Sequence, residues 1–333
     1  MTTEVCEPVV TVALDPGWAV AGLVDDVRRG LAQIPRSLSP KWLYDDRGSM
    51  LFDAITRLPE YYPTEREREI LGARADEIAR ASGATTVVEL GSGTSDKTRT
   101  LLDAFAGTGQ LERFIPVDVS EGILRQAAAD ISREYAGVTV HAVVGDFTQH
   151  LEILPAEGRR IVVFLGGTIG NLDPHERAQF LRSLSATLDP GESLLLGTDL
   201  VKDLDRVVAA YDDSQGVTAE FARNSLRVVN RELDADFDVD SFTYVPYWDP
   251  REERMDLRLR TEKPQHVCIP GANLEIDLAA GEEIRIELSS KFRIDGIRSE
   301  LAAVGLDVVE TWTDEAGDFA LTLAVRTGVP VPR

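Results

Sequence analysis

The chain has 333 residues, enough for one large α/β core and a second, smaller unit. Acidic side chains outnumber basic ones by 57 to 35, and the net charge of −22 would repel a phosphate backbone or an anionic membrane surface, so no nucleic-acid partner is expected. The two cysteines, Cys6 and Cys268, lie far apart and can build neither a cysteine zinc cluster nor a disulfide framework. Glu4 and Glu7 stand where a signal peptide places basic charge, and no apolar run reaches the roughly 18 residues of a membrane span. A cytoplasmic chain without a membrane partner, acting as a monomer, is expected.

Val20, Leu23, Val24, Val27 and Leu31 recur at helical spacing and predict an amphipathic helix over 18–35. Residues 58–64 read as a rigid aromatic turn, after which Thr64 and Glu67 are spaced as a capping box for a helix running to Ala81. Next come a strand over 85–90, a helix from about Ser95, a strand over 114–118, a helix from Ser120 and a strand over 138–144. An apolar run over 161–165, a helix capped by Asp173 with Pro174 and Glu176, and a strand over 193–198 continue the series. Such alternation means parallel βαβ units, five strands in all. Residues 201–291 break it, with helices around 206–211 and 218–232 and several alternating segments bounded by Pro and Gly; this reads as an inserted α+β lid, and the acidic stretch 234–240 as a solvated turn. A helix near 297–303 and a hairpin of strands over 307–312 and 319–325 close the chain.

Five parallel strands closed by such a hairpin resemble the seven-stranded, Rossmann-like sheet of methyltransferases better than an all-parallel dinucleotide-binding sheet. The expected fold class is therefore α/β, with an inserted or appended α+β substrate-binding domain. Residues 66–200 and 292–327 are assigned to the sheet domain, and residues 17–65 and 201–291 to the substrate-binding domain.

In open α/β sheets ligands bind beyond the carboxyl ends of the strands. The first strand ends in Glu89-Leu90-Gly91-Ser92-Gly93-Thr94-Ser95, where glycines allow close backbone approach ahead of a helix N-terminus; a tight βα turn fits the same residues. Asp96 occupies the place that a dinucleotide fingerprint or a P-loop needs free of acid, so phosphates are disfavoured, and a cofactor with an adenosine and a sulfonium fits better. Asp118, 27 positions after Gly91, can accept hydrogen bonds from two ribose hydroxyls. Asp146 beside Phe147 can receive an adenine amino proton under a covering ring, or simply cap a helix. The fourth strand opens into Gly166-Gly167-Thr168-Ile169-Gly170-Asn171, a backbone-rich floor for ligands. His141, His150, His175 and His266 show no ligand spacing, and no metal is expected.

The runs 41–53, 58–64, 89–95, 170–172, 197–203 and 287–292 together resemble the L-histidine N-α-methyltransferases of ergothioneine biosynthesis, of the actinobacterial type, over nearly the whole chain. That resemblance implies S-adenosylmethionine as methyl donor and three methylations of the α-amino group of histidine, giving hercynine. It implies that Gly91, Lys97, Asp118, Asp146 and Phe147 contact the donor and that Asn171 and Tyr211 bind the substrate carboxylate. Tyr44 and Tyr61 then lie by the amine, and Glu287 with Ser289 hold the imidazole; Gly166 and Leu257 complete the substrate set. The residues alone support that last pair: Ile284, Ile286 and Leu288 alternate with Arg285, Glu287 and Ser289, so acid and hydroxyl share one strand face and can satisfy both imidazole nitrogens. Tyr44, directly or through water, is expected to orient the amine lone pair and pass its proton out. Two positions depart from the pattern: Leu257 stands where relatives carry Met beside the substrate, and Gly167 where Ser is familiar. A methyltransferase for another small amine or amino acid is the alternative.

Overall fold

The computed structural model describes residues 7–15 and 17–328, so Glu4 and Cys6 lie outside the described residues. Strand β1 (Val9–Val12), helix α1 (Trp18–Leu31), the short strand β2 (Arg36–Ser37) and α2 (Asp46–Ile55) come first. The alternation then runs α3 (Pro63–Ser82), β3 (Thr86–Leu90), α4 (Thr98–Gly107), β4 (Arg113–Asp118), α5 (Glu121–Glu134), β5 (Thr139–Val144), β6 (Arg160–Phe164), α6 (Pro174–Thr187) and β7 (Ser193–Asp199). Helices α7 (Leu204–Tyr211) and α8 (Val217–Leu233) interrupt it, followed by β8 (Phe242–Asp249), β9 (Arg254–Thr261), β10 (Gln265–Ile269), β11 (Leu274–Leu278) and β12 (Glu283–Ser290). Helix α9 (Ile294–Ala303), β13 (Leu306–Thr313) and β14 (Phe319–Arg326) complete the fold.

The large sheet has the order β1-β5-β4-β3-β6-β7-β14-β13. Every pair from β1 to β7 is parallel, and β14 runs antiparallel between β7 and β13. This is the Rossmann-like methyltransferase sheet with one strand more than the expected seven. The extra strand is Val9-Val10-Thr11-Val12, laid along β5; at four residues, with Val9 and Val12 exposed, it sends no pattern that reads as half-buried. Strands β3, β6 and β7 are buried throughout, as continuous apolar runs covered by helices on both faces must be. Strand order reverses between β3 and β6, which puts the ligand crevice at their carboxyl ends.

A separate apolar core draws on residues between Leu23 and Tyr62 and between Val207 and Ile286. Leu23, Val27 and Leu31 of α1 and Leu226 and Val229 of α8 are buried in it, with Leu259 and Ile284 of a second sheet of order β2-β12-β9-β8.

Local departures from the expected elements have physical causes. Helix α1 stops at Leu31, short of Pro35, whose ring and missing N–H cannot continue it. Helix α4 starts at Thr98, because Ser95 takes a left-handed φ of 54° and gives its hydroxyl to Glu89. The Thr64–Glu67 capping box does not form: α3 starts on Pro63, and the Glu67 side chain is fully buried against Lys97 and the Gly166 amide. The box at Asp173 and Glu176 does form, with Pro174 at the first helical position. The strict alternation over 284–289 is broken by a β-bulge between Arg285 and Glu287, yet Glu287 opposite Leu257 and Ser289 opposite Met255 still share a face. The acidic stretch 234–240 is pinned to the core by buried Phe237 and Val239. No described helix is long and apolar enough to cross a membrane.

Candidate active site

A cleft enclosing about 610 Å³, its mouth included, opens at the carboxyl ends of β6 and β7, where α2, α7, α8 and β12 meet them. Tyr44, Tyr61, Gly166, Asn171, Tyr211, Leu257, Glu287 and Ser289 all line it. One wall is aromatic. The Tyr44 ring stands edge-on to Phe52 and Phe221 at 5.4 and 5.3 Å, and Tyr61 meets Tyr211 at 6.3 Å. Tyr44 is held by the turn into α2: Asp45 caps that helix by accepting from the Gly48 amide at 2.8 Å, and Asn224 and Arg231 of α8 bind the same carboxylate at 2.6 and 2.9 Å. Gly48 is required there, because a Cβ would overlap the Leu43 carbonyl.

The far end of the cleft is polar, with Tyr211, Ser289 and Lys291 buried and Glu287 and Asn171 half-buried. Burial pushes the Glu287 carboxyl up to about 7, against the pull of the Lys291 ammonium and a hydrogen bond from Asn171. Tyr211 and Ser289 share a hydrogen bond of 2.7 Å, and Lys291, with no exposed side-chain surface, donates to both hydroxyls and pairs with Asp199 at 2.8 Å. Asp199 also accepts from the Tyr62 hydroxyl at 2.9 Å and pairs with buried Lys202. Burial above all holds the phenols of Tyr44, Tyr61 and Tyr211 well above the ordinary tyrosine range, so they stay neutral. Asp199 and Lys291 sit in the runs 197–203 and 287–292, but nothing in spacing marks them as functional; Glu67 reads as a cap, Phe221 as a helix position, and Phe52 only as part of the run 41–53.

The glycine loop lies outside this cleft, and none of Gly91, Lys97, Asp118, Asp146 and Phe147 lines it. Gly91 has φ 66°, and the Phe147 ring packs beside it while resting on Phe164 and Phe180 at 5.1 and 5.8 Å. Asp118 ends β4, its two oxygens accepting from the amides of Gly93 at 2.9 Å and Ser120 at 2.8 Å. Asp146 accepts from the amide and hydroxyl of Thr148 at 2.9 and 2.6 Å, so it caps a local turn where it stands. Glu89, beneath the loop, is pushed up to about 7 by burial, with Ser95 and Thr98 donating to it. Lys97 reaches across to Glu67, whose other oxygen takes the Gly166 amide at 2.7 Å; Gly197 lacks the Cβ that would strike Glu67. Glu67 thus ties the glycine loop to the cleft floor.

These residues fit S-adenosylmethionine. The buried Ser92 hydroxyl between the two glycines has no protein partner, two carboxylates and an aromatic ring stand at the strand ends, and Asp96 keeps the helix start unfit for phosphate. Among the described residues no group of three His, Cys, Asp or Glu could hold a metal ion.

A parallel sheet closed by an antiparallel hairpin, with an acid-flanked glycine loop at its switch point, defines the class of Rossmann-like methyltransferases. Within that class the chain belongs to the histidine-specific, SAM-dependent methyltransferases, whose sequence profile matches residues 23–326. The histidine N-alpha-methyltransferase of Mycolicibacterium smegmatis is 58% identical over 92% of this chain and 96% of its own length. That of Mycobacterium tuberculosis is 57% identical over 90% of this chain and 94% of its own. Ergothioneine biosynthesis protein 1 of Neurospora crassa is 30% identical over 88% of this chain, matching 33% of its own length.

Proposed function

We propose that this chain moves three methyl groups in succession from S-adenosylmethionine to the α-amino group of L-histidine, giving hercynine, a step of ergothioneine biosynthesis. Family membership supports histidine methylation. The observation that carries the finer reading is the convergence of eight acceptor residues on one cleft, with a carboxylate and a hydroxyl side by side at its polar end. The protein works on this small molecule as a cytoplasmic monomer, residues 17–65 and 201–291 forming the acceptor-binding unit.

Gly91 and Lys97 would hold the methionine part of the donor, Asp118 the ribose, and Asp146 with Phe147 the adenine. Once bound, the donor supplies a methyl group already activated by its sulfonium. The protein's task is then to present an unprotonated amine in one orientation, and positioning of that kind is worth several kcal/mol. Asn171 fixes the carboxylate with Tyr211 beside it, Glu287 and Ser289 the ring, and Tyr44 and Tyr61 the amine. Because the Tyr44 phenol stays neutral, it does not act as a phenolate base. It accepts an amine proton on its oxygen while handing its own to water, so its charge is unchanged. The aromatic wall of Tyr44, Phe52 and Phe221 suits a product amine that ends as a quaternary cation.

Incubation with S-adenosylmethionine and L-histidine, followed by mass spectrometry of the amino acid, should give successive additions ending at three methyl groups. Unmodified histidine in a sample that still binds S-adenosylmethionine would sink the acceptor assignment. The alternative, another small amine or amino acid as acceptor, draws on Leu257, which faces Glu287 across β9 and β12. A panel of amino-acid acceptors separates the two.

A further inference from the structure

The three protons of a lysine ammonium can be followed one by one in this cleft. Lys291 Nζ lies 2.8 Å from the Tyr211 hydroxyl, 2.7 Å from the Ser289 hydroxyl and 2.8 Å from Asp199 Oδ2. All three are committed to protein, and the side chain has no exposed surface, so Lys291 has nothing left to give a substrate. Its effect falls on the two hydroxyls. Each accepts from the same ammonium, and at 2.7 Å from each other they share one proton between them. Two hydroxyl protons less the shared one leaves a single O–H that can point into the cleft. Beside it stands the Glu287 carboxylate, an acceptor.

From this hydrogen-bond count we propose that Lys291 is a positioning residue that sets acceptor specificity: it fixes the Tyr211–Ser289 pair so that the far end of the cleft offers one donor and, in Glu287, one acceptor. A neutral imidazole is the complement, with one ring nitrogen to accept and one N–H to donate. A ring without nitrogen leaves both protein groups unpaired in a largely buried place, which is the strongest form of discrimination a buried site can exert. Without the ammonium the hydroxyls lose their common donor, and the free proton can turn toward the place it left. Asp199 anchors the device from β7, and Tyr62 and Lys202 hold Asp199 in turn.

Since the inference rests on histidine as the acceptor, its test compares two ligands. The probes are L-histidine and 3-(2-thienyl)-L-alanine, which keeps the amine, the carboxylate and a five-membered aromatic ring but has no ring nitrogen. Dissociation constants are measured by calorimetry with S-adenosylhomocysteine present, for the unaltered protein, Lys291→Met and Lys291→Gln. The unaltered protein should prefer histidine. Lys291→Met should shrink that preference by about tenfold, the scale of a lost charge-assisted hydrogen bond, while S-adenosylhomocysteine binds as before. Lys291→Gln keeps donors without charge; it should fall between the two, and it stands in if the Met variant does not fold. A purely structural role would weaken both ligands alike, so an undiminished preference in a folded variant overturns the proposal. If the unaltered protein shows no preference for histidine, the acceptor assignment fails instead.

Discussion

The two sides proposed here, one for the donor and one for the acceptor, are built on different principles. The donor side is mostly backbone: a glycine loop with φ 66° at Gly91, amide groups that hold Asp118 in place, and helix starts at the ends of parallel strands. The acceptor side is mostly side chain, gathered from segments as distant in sequence as Tyr44 and Ser289 and held by a buried charge network around Asp199 and Lys291. A fold can carry the first almost unchanged from one substrate to the next. The second has to be rebuilt for each acceptor, so specificity and fragility should both concentrate there.

Gly48→Ala should separate the two sides most sharply. The added Cβ would overlap the Leu43 carbonyl and force the start of α2, with Tyr44, out of place. Histidine turnover should fall by about 100-fold or more, the scale of a misplaced reacting group, while S-adenosylhomocysteine affinity holds. Equal loss of both would show that the sides are not independent. Asp118→Ala is the converse: donor affinity should drop by about 30-fold, for lost hydrogen bonds to a carboxylate, with histidine affinity little changed. Calorimetry with each ligand alone reads both.

The same division decides what could be read from the sequence. Gly91, Asp118 and Phe147 stand at strand ends, and strand ends follow from the period of the apolar residues, so the positions proposed for the donor are legible locally. The capping box at Asp173 was equally local and is present. Thr64 and Glu67 carry the same signature, but the half-buried Lys97 and the Gly166 amide claim Glu67, contacts 30 and 99 positions away that spacing cannot show. Of the acceptor side Glu287 and Ser289 carry strand alternation as a signal, and even that runs through a bulge at Ile286. Asn171 stands in a glycine loop that reads as a floor for ligands, while Tyr44 and Tyr211 rest on resemblance alone. Lys291 gave no signal, because its function lies in partners that only the folded chain assembles. Strand β1 was missed for the opposite reason, being too short and exposed to carry a period.

Tyr44→Phe tests the acceptor side more gently. The ring keeps its edge-on contacts with Phe52 and Phe221 and loses only the hydroxyl. With the proton relay gone, kcat should fall by about tenfold or more while KM for histidine stays within about twofold. A rise in KM at unchanged kcat would recast Tyr44 as a binding residue and leave the proton to water or to Tyr61.

The smallest effect concerns stability, and it places one acid on each side. Burial pushes Glu89 on the donor side and Glu287 on the acceptor side up to about 7, from an ordinary value of 4.5. The folded chain therefore holds these protons more tightly than the unfolded chain. The stability they contribute is fully present below about pH 4.5 and is lost as pH rises through about 7. Between pH 5 and 8 the melting temperature of the unliganded protein should decline by on the order of a few degrees from this source. Glu89→Gln cannot ionise and keeps an oxygen for Ser95 or Thr98, so it should remove about half of the decline. Glu287→Gln should remove the rest. The two halves differ in what ligands do to them. S-adenosylhomocysteine should alter the part that Glu89→Gln removes, and histidine the part that Glu287→Gln removes, if the two sides are as separate as their construction indicates. Thermal melts at four pH values with each ligand in turn measure this, and a decline unchanged in Glu89→Gln would mean that the acid under the glycine loop ionises in the folded chain as readily as in the unfolded one.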